Sequence, residues 1–427
     1  MGRRFCPLAM VLALLALPSC DDDSGTTPAD GSVPDVAQGD MMRVDGATDT
    51  AHVDGAPDGA PDGATNPCPR LPGPADAPRA VVVAHPYSTA GSKAPRFEVL
   101  QLSAAGKLSG SNLTFDLASR AIDGEIVFTP DGKVGLVVLE DGTVGVFTLD
   151  GAGNPTVVHM GLKLTGYASR VALSPDGQRA FILSSQWRNV GGGIYGAKIN
   201  CDGTLTDEGL VAASKLPAAL LHTASGQALV VARDVLSSKA GDDVHLLNLG
   251  SPWSVVAGAD AFGDDEAIVS WAALTADGKY LLAADNNGVT AGNRVAVTQV
   301  LPGQLKPAQV LTSTTVIKDP TSIATSPYDN AAVVLGAMAN QITVLDYTPG
   351  GNPPFSIRGP LATSSKPQLP VDTVMIRRGA LKGRVLVSEN LSIRQIQFEA
   401  SGQVTEVELF KVGSGNAAIV GAIGVQP

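Results

Sequence analysis

One short phrase recurs along this chain and constrains its fold more than any other feature. Residues 126–132 read I-V-F-T-P-D-G, residues 171–177 read V-A-L-S-P-D-G, and residues 272–278 read A-A-L-T-A-D-G. Looser copies lie at 220–226 and 323–330. The turn positions fall at 131, 176, 225, 277 and 329, spaced 45 to 52 residues apart. An apolar run, a loop and a second apolar run follow each copy. Self-similarity at this period specifies a repeat architecture. The phrase itself is turn chemistry: Pro presets φ, Asp bonds its own backbone, and Gly takes the place that needs φ > 0.

The apolar runs are short and rich in Val, Ile and Leu, bounded by Gly, Asp, Asn or Pro, as at 80–84, 134–139, 228–231 and 332–335. That is the pattern of strands. Several runs are apolar at every position, which predicts burial on both faces. Many short strands with one turn motif per unit predict an all-β chain folded as a β-propeller. At about 50 residues per blade, the roughly 360 residues from Cys68 onward make seven blades. The last blade carries a degenerate turn at 374–383. The N-terminal unit lacks an inner strand, and the stretch N-A-A-I-V-G-A-I-G at 416–424 is expected to supply it, closing the ring into the blade of residues 80–115. Such closure removes two open sheet edges at once.

The N-terminal end reads differently. Arg3 and Arg4 precede an apolar stretch at 8–17 that is short for a bilayer span, and L-P-S-C follows at 17–20. This resembles a lipoprotein signal peptide at 1–20, with Cys20 as the lipidated residue. The segment 21–67 is an Asp/Gly/Ala/Pro-rich linker. Its first 45 residues hold eleven Asp and one Arg, a balance of −10 against −11 for the whole chain. The acidity therefore belongs to the linker, and such a composition predicts disorder. The expected arrangement is a propeller at 68–427, carried on a stalk and anchored by lipid to the membrane of a bacterial cell envelope, periplasmic or surface-exposed, as a monomer.

The units A-L-S-P-D-G-Q-R-A-F-I-L at 172–183 and A-L-T-A-D-G-K-Y-L-L-A-A-D-N at 273–286 resemble YVTN-type propeller repeats of bacterial surface proteins. They are also similar to the seven-bladed 6-phosphogluconolactonase-like family. The resemblance covers about residues 80–427. It implies acidic, basic and His residues at the channel mouth that bind and open sugar lactones.

Counting back from each turn gives the residue that leads into each inner strand: Glu125, Arg170, Ala219, Trp271, Ser322 and Thr373. In a propeller these ring the mouth of the central channel, on the face opposite the repeated turns. Long loops gather on that same face, where binding usually resides. Glu125, Arg170, Trp271, Trp187 and Arg188 are the expected ligand-facing residues. The alternative for Glu125 and Arg170 is a simple mutual ion pair, and for Trp271 a plug between blades. His85 belongs near the same face, whereas His222 reads as a core histidine. Two readings of function follow: a module that binds protein, peptide or glycan, and a lactonase-like hydrolase using Glu125 and Arg170.

The sequence calls for no cofactor and no metal site. It contains no G-x-S-x-G, H-E-x-x-H, haem-binding C-x-x-C-H or phosphate-loop motif. It also lacks the basic, aromatic-interleaved clusters of a nucleic-acid surface. Cys68 and Cys201 remain as a possible disulfide, which would pin the linker to the disc in an oxidising compartment.

Overall fold

A computed structural model describes residues 68–88, 96–121, 125–163, 167–185, 192–233, 235–239, 241–264, 267–286, 293–313, 315–412 and 418–427. The signal segment with Cys20, the linker, and the expected site residues Trp187 and Arg188 lie outside them.

The described residues form seven four-stranded antiparallel sheets, with the strands of blades 2 to 7 in chain order. Blade 2 begins at Val127–Phe128, blade 3 at Ala168–Leu173, blade 4 at Ala219–His222, blade 5 at Val269–Leu274, blade 6 at Pro320–Thr325 and blade 7 at Asp372–Met375. Second strands such as Arg79–Ala84, Ala228–Val231 and Ala331–Gly336 are buried at every position. They are covered on both faces because each blade is packed between two others. Outer strands such as Gln304–Thr312 alternate between cover and exposure. One apolar cluster fills each boundary between adjacent blades, giving seven clusters around the disc.

The seventh boundary depends on the C-terminus. Ile423–Val425 pairs antiparallel with Val81, Val82 and Val83 of blade 1. The ladder continues through Ala84, which bonds Ala422 and Gly421, and through Gln426, whose amide donates to Ala80. The closing strand thus lies slightly later than the stretch 416–424. Ala418–Ile419 pairs instead with Tyr87–Ser88 in a separate ribbon. Gly424 is required here: a Cβ would stand 2.2 Å from the Ile126 carbonyl oxygen. That approach lets Glu125 bridge Ile423 in parallel, joining blade 2 to blade 1 at the channel wall.

The recurring phrase forms the expected turn. In blade 2 the Gly132 amide donates to the Thr129 carbonyl at 2.7 Å, and the Thr129 hydroxyl donates to Asp131 at 2.6 Å. Gly132 has φ 69°, in the left-handed region that glycine enters freely. Blade 5 repeats the pattern with Thr275, Asp277 and Gly278. In blade 6 Asp329 takes the glycine place at φ 52°, so the repeat position falls on Tyr328 rather than 329. Blade 7 departs further. Its chain leaves the ladder at Ile376 and rejoins it at Arg384, a turn three residues longer than that between Thr129 and Val134 in blade 2.

Residues 68–78 cross the turn face as a strap. Cys68 and Cys201 form a disulfide with Cα atoms 5.5 Å apart, a normal separation. Arg70 donates to the Asn200 carbonyl at 2.7 Å and pairs with Asp131 at 3.5 Å. Further on, Arg378 donates to the Gly73 carbonyl, and Asp76 accepts from the Ala380 amide. The strap therefore runs from blade 3, over the blade 2 turn, to blade 7.

Candidate functional site

Inner strands of a propeller run from one face to the other around a central channel. The residue that leads into each strand therefore meets that channel at one end, and the residue that follows it meets the other. The structure places Glu125, Arg170 and Trp271 together around a void of about 70 Å³ at the lead-in end. At roughly 10–15 Å³ per water by this measure, the space holds about five waters, comparable to one small ring.

Arg170 belongs to blade 3 and Trp271 to blade 5. The Arg170 guanidinium carbon lies 4.7 Å from the centre of the Trp271 ring, and one nitrogen donates to the Ser270 carbonyl at 3.3 Å. The side chain thus reaches past blade 4 and bars the mouth. Its Nη1 is buried without a hydrogen-bond partner among the described residues. Trp271 packs partly on the apolar cluster between blades 5 and 6, so it combines the plug and the channel-facing roles.

Glu125 sits where the lead-in void meets a larger one at the turn end. Among the described residues, no ion pair within 4.0 Å joins it to Arg170. Burial in the ring pushes its carboxyl up to about 7, against the pull of the Arg377 and Arg170 charges. The residue surface is only partly covered because it borders the channel. The packed wall around that opening is what desolvates the carboxyl.

The other lead-in residues are less available. Ser322 and Thr373 are buried and share a hydrogen bond of 2.8 Å across the boundary of blades 6 and 7. Ala219 offers no polar group. His85 is buried and bonds Glu98 at 3.1 Å. His222 lies partly buried, its ring 5.9 Å from that of Phe181, with burial lowering its basicity. Two dense charge clusters, Arg294 with Asp264 and Asp285, and Arg394 with Glu389 and Glu406, are ion networks within blades 5 and 7.

Sequence reasoning missed Arg377. It lies in the extended turn of blade 7, lines the larger void and exposes its side chain to it. The enclosing ring lowers the basicity of its guanidinium, which the Glu125 charge opposes. No repeat position predicts it, because the inserted residues have no counterpart in other blades.

The architecture is that of known solved structures. The periplasmic gluconolactonase of Pseudomonas aeruginosa superimposes with a TM-score of 0.61 at 14% identity, covering 82% of this chain and 99% of that one. A Lactobacillus plantarum protein gives 0.60 at 14% identity, covering 82% and 100%. A candidate 6-phosphogluconolactonase from Bacteroides fragilis gives 0.59 at 14% identity, covering 83% and 99%. The chain has the seven-bladed propeller fold of the 6-phosphogluconolactonase-like proteins. No family model matches it, and no curated protein does. At this identity the likeness establishes the fold of the propeller, and its site rests on its own residues.

Proposed function

We propose that the lead-in end of the channel binds a small lactone and hydrolyses it, with Glu125 as the proton-transfer group. The observation that carries this reading is the place of Glu125 in the channel wall, lining both voids between Arg170 and Arg377 and ion-paired to neither, where burial raises its carboxyl to about 7. A general base works best with its pKa near the working pH. In this scheme ionised Glu125 removes a proton from a water that attacks the lactone carbonyl. The Arg170 guanidinium stabilises the oxyanion. Collapse breaks the ring C–O bond, and the proton held by Glu125 passes to the departing alkoxide, giving a hydroxy acid. Two of the structural neighbours carry lactonase names, which supports the choice of substrate class.

A second reading is a module that binds protein, peptide or glycan through the long loops of the same face. It draws on the bar formed by Arg170 and Trp271, which narrows the mouth, and on the bonded state of Ser322 and Thr373. One experiment separates the two. Glucono-δ-lactone opening, followed by pH-stat above the uncatalysed rate, should be accelerated and should fall about a hundredfold in Glu125→Gln. Equal rates with and without the protein would eliminate the hydrolase and leave the binding module.

We also infer that the propeller is held at a membrane by lipid on Cys20 through the acidic linker. The disulfide fits an oxidising envelope compartment. Palmitate labelling that persists in Cys20→Ala would refute this placement.

A further inference from the structure

The turn end of the channel contains a second chamber, of about 350 Å³. Clefts and cavities that take small ligands begin at about 300 Å³. Its walls are largely apolar, including Ile126, Val127, Leu173, Val374, Ile376 and Val425. Set into them is Arg377. Among the described residues, its guanidinium makes no hydrogen bond and no ion pair within 4.0 Å. Arginine stays protonated in proteins, so a positive charge with no partner among the described residues faces the chamber, its side chain exposed to that space.

The two neighbouring arginines do not resolve this imbalance. Arg79 donates to the Gln426 and Ala75 carbonyls, and Arg378 donates to the Gly73 carbonyl. These partners are neutral, so both charges add to the field. The acids nearby are Glu125, raised to about 7 and shared with the lead-in void, Asp76 on the strap, which interacts with Arg79, and the carboxylate of Pro427, which also lines the chamber; against them stand the guanidinium groups of Arg79, Arg377 and Arg378. The chamber lining is therefore cationic in a chain whose net charge is −11.

We propose that this chamber is a ligand site separate from the lead-in mouth, and that it takes a small organic carboxylate with an apolar body. The planar guanidinium of Arg377 matches a carboxylate with two parallel hydrogen bonds. The aliphatic walls receive the hydrocarbon part and remove its apolar surface from water. One free arginine suits a single negative charge better than a phosphate dianion. The extended turn of blade 7 is the device that brings this arginine into the channel.

The test uses the propeller with its disulfide intact and measures binding of hexanoate and benzoate by calorimetry. Hexanamide, benzamide and inorganic phosphate serve as comparisons. The acids should bind at least about tenfold more tightly than their amides and than phosphate, a gap of about 1.4 kcal/mol. Arg377→Met should lose that margin, while Arg170→Met, at the other end, should leave acid affinity within about twofold. Undiminished binding in Arg377→Met overturns the proposal, as does amide binding equal to the acids. Loss in Arg170→Met alone would place the ligand at the lead-in mouth and overturn it too. If Arg377→Met fails to fold, the acid-to-amide comparison on the unaltered protein decides. Failure of the site leaves lactone turnover through Glu125 untouched, so the two claims fall separately.

Discussion

The two ends of one channel differ in how they treat an arginine. At the lead-in end Arg170 is held in place by the fold: it stacks on Trp271 and bonds the Ser270 carbonyl two blades away, which leaves Nη1 without a partner among the described residues. At the turn end Arg377 faces a void five times larger and bonds nothing among the described residues. The ends are also secured differently. A non-covalent bar spans the first, and a disulfide-pinned strap crosses the second. Glu125 lies between them and feels both charges, Arg377 more strongly. The contrast teaches that a repeat position and an insertion can place the same side chain type in opposite settings along one channel.

The most drastic way to break the comparison is to remove the wall that both ends share. Truncating residues 423–427 takes away the inner strand of blade 1, the Glu125 bridge and part of the cluster between blades 7 and 1. Thermal melting should then show loss of the cooperative transition of the whole domain, whereas fraying of one blade alone would contradict the closure.

Cutting the strap acts on the turn end. Cys68 and Cys201 are 133 positions apart, and a disulfide closing so long a loop contributes about 2–4 kcal/mol. Cys201→Ser should lower the denaturant midpoint accordingly, and an unchanged midpoint would show that Arg70 and Asp131 hold the strap unaided.

The shared carboxyl sharpens the comparison through pH. Folded Glu125 binds its proton more tightly than the unfolded chain does, since its value of about 7 exceeds the ordinary 4.5. Stability is therefore greatest below the unfolded value and declines as pH rises toward 7. Because the group borders the channel, the loss should be about 1–3 kcal/mol rather than the full figure that such a shift implies. Glu125→Gln should abolish this part of the decline between pH 4.5 and 8, and identical pH profiles would count against a raised carboxyl.

The smallest effect is the most discriminating between the ends. Arg170→Met should cost about 1–2 kcal/mol, from the lost stacking and hydrogen bond. Arg377→Met should change stability by no more than about 0.5 kcal/mol, because the side chain is exposed to the channel and makes no hydrogen bond or ion pair among the described residues. Equal destabilisation by both would show that the two arginines are held alike.

Much of the fold was legible because it rests on local chemistry repeated in register. The Asp and Gly of each turn mark the blade, and strands apolar on both faces can only lie between blades. The missing inner strand was visible as an apolar stretch left over at the C-terminus, although its register was not. Ala84 carries the ladder on to Gly421 and Ala422, a long-range match that no local pattern encodes. Half of the mouth was legible as well, because Glu125, Arg170 and Trp271 occupy one repeat position. Counting could not show that Arg170 reaches blade 5, or that Ser322 and Thr373 satisfy each other. Arg377 was hidden for the opposite reason: it sits in an insertion, where the repeat gives no register at all.

The claim on which the rest depends is that the channel holds a carboxyl poised near neutrality between two guanidinium groups. Carboxyl carbon shifts of ¹³C-labelled protein, assigned by comparison with Glu125→Gln, would follow that group directly. A midpoint near 7 that moves upward in Arg377→Met is the expected result, since the pull of that charge is then gone. A midpoint at the ordinary glutamate value of about 4.5, unmoved by Arg377→Met, would contradict the account.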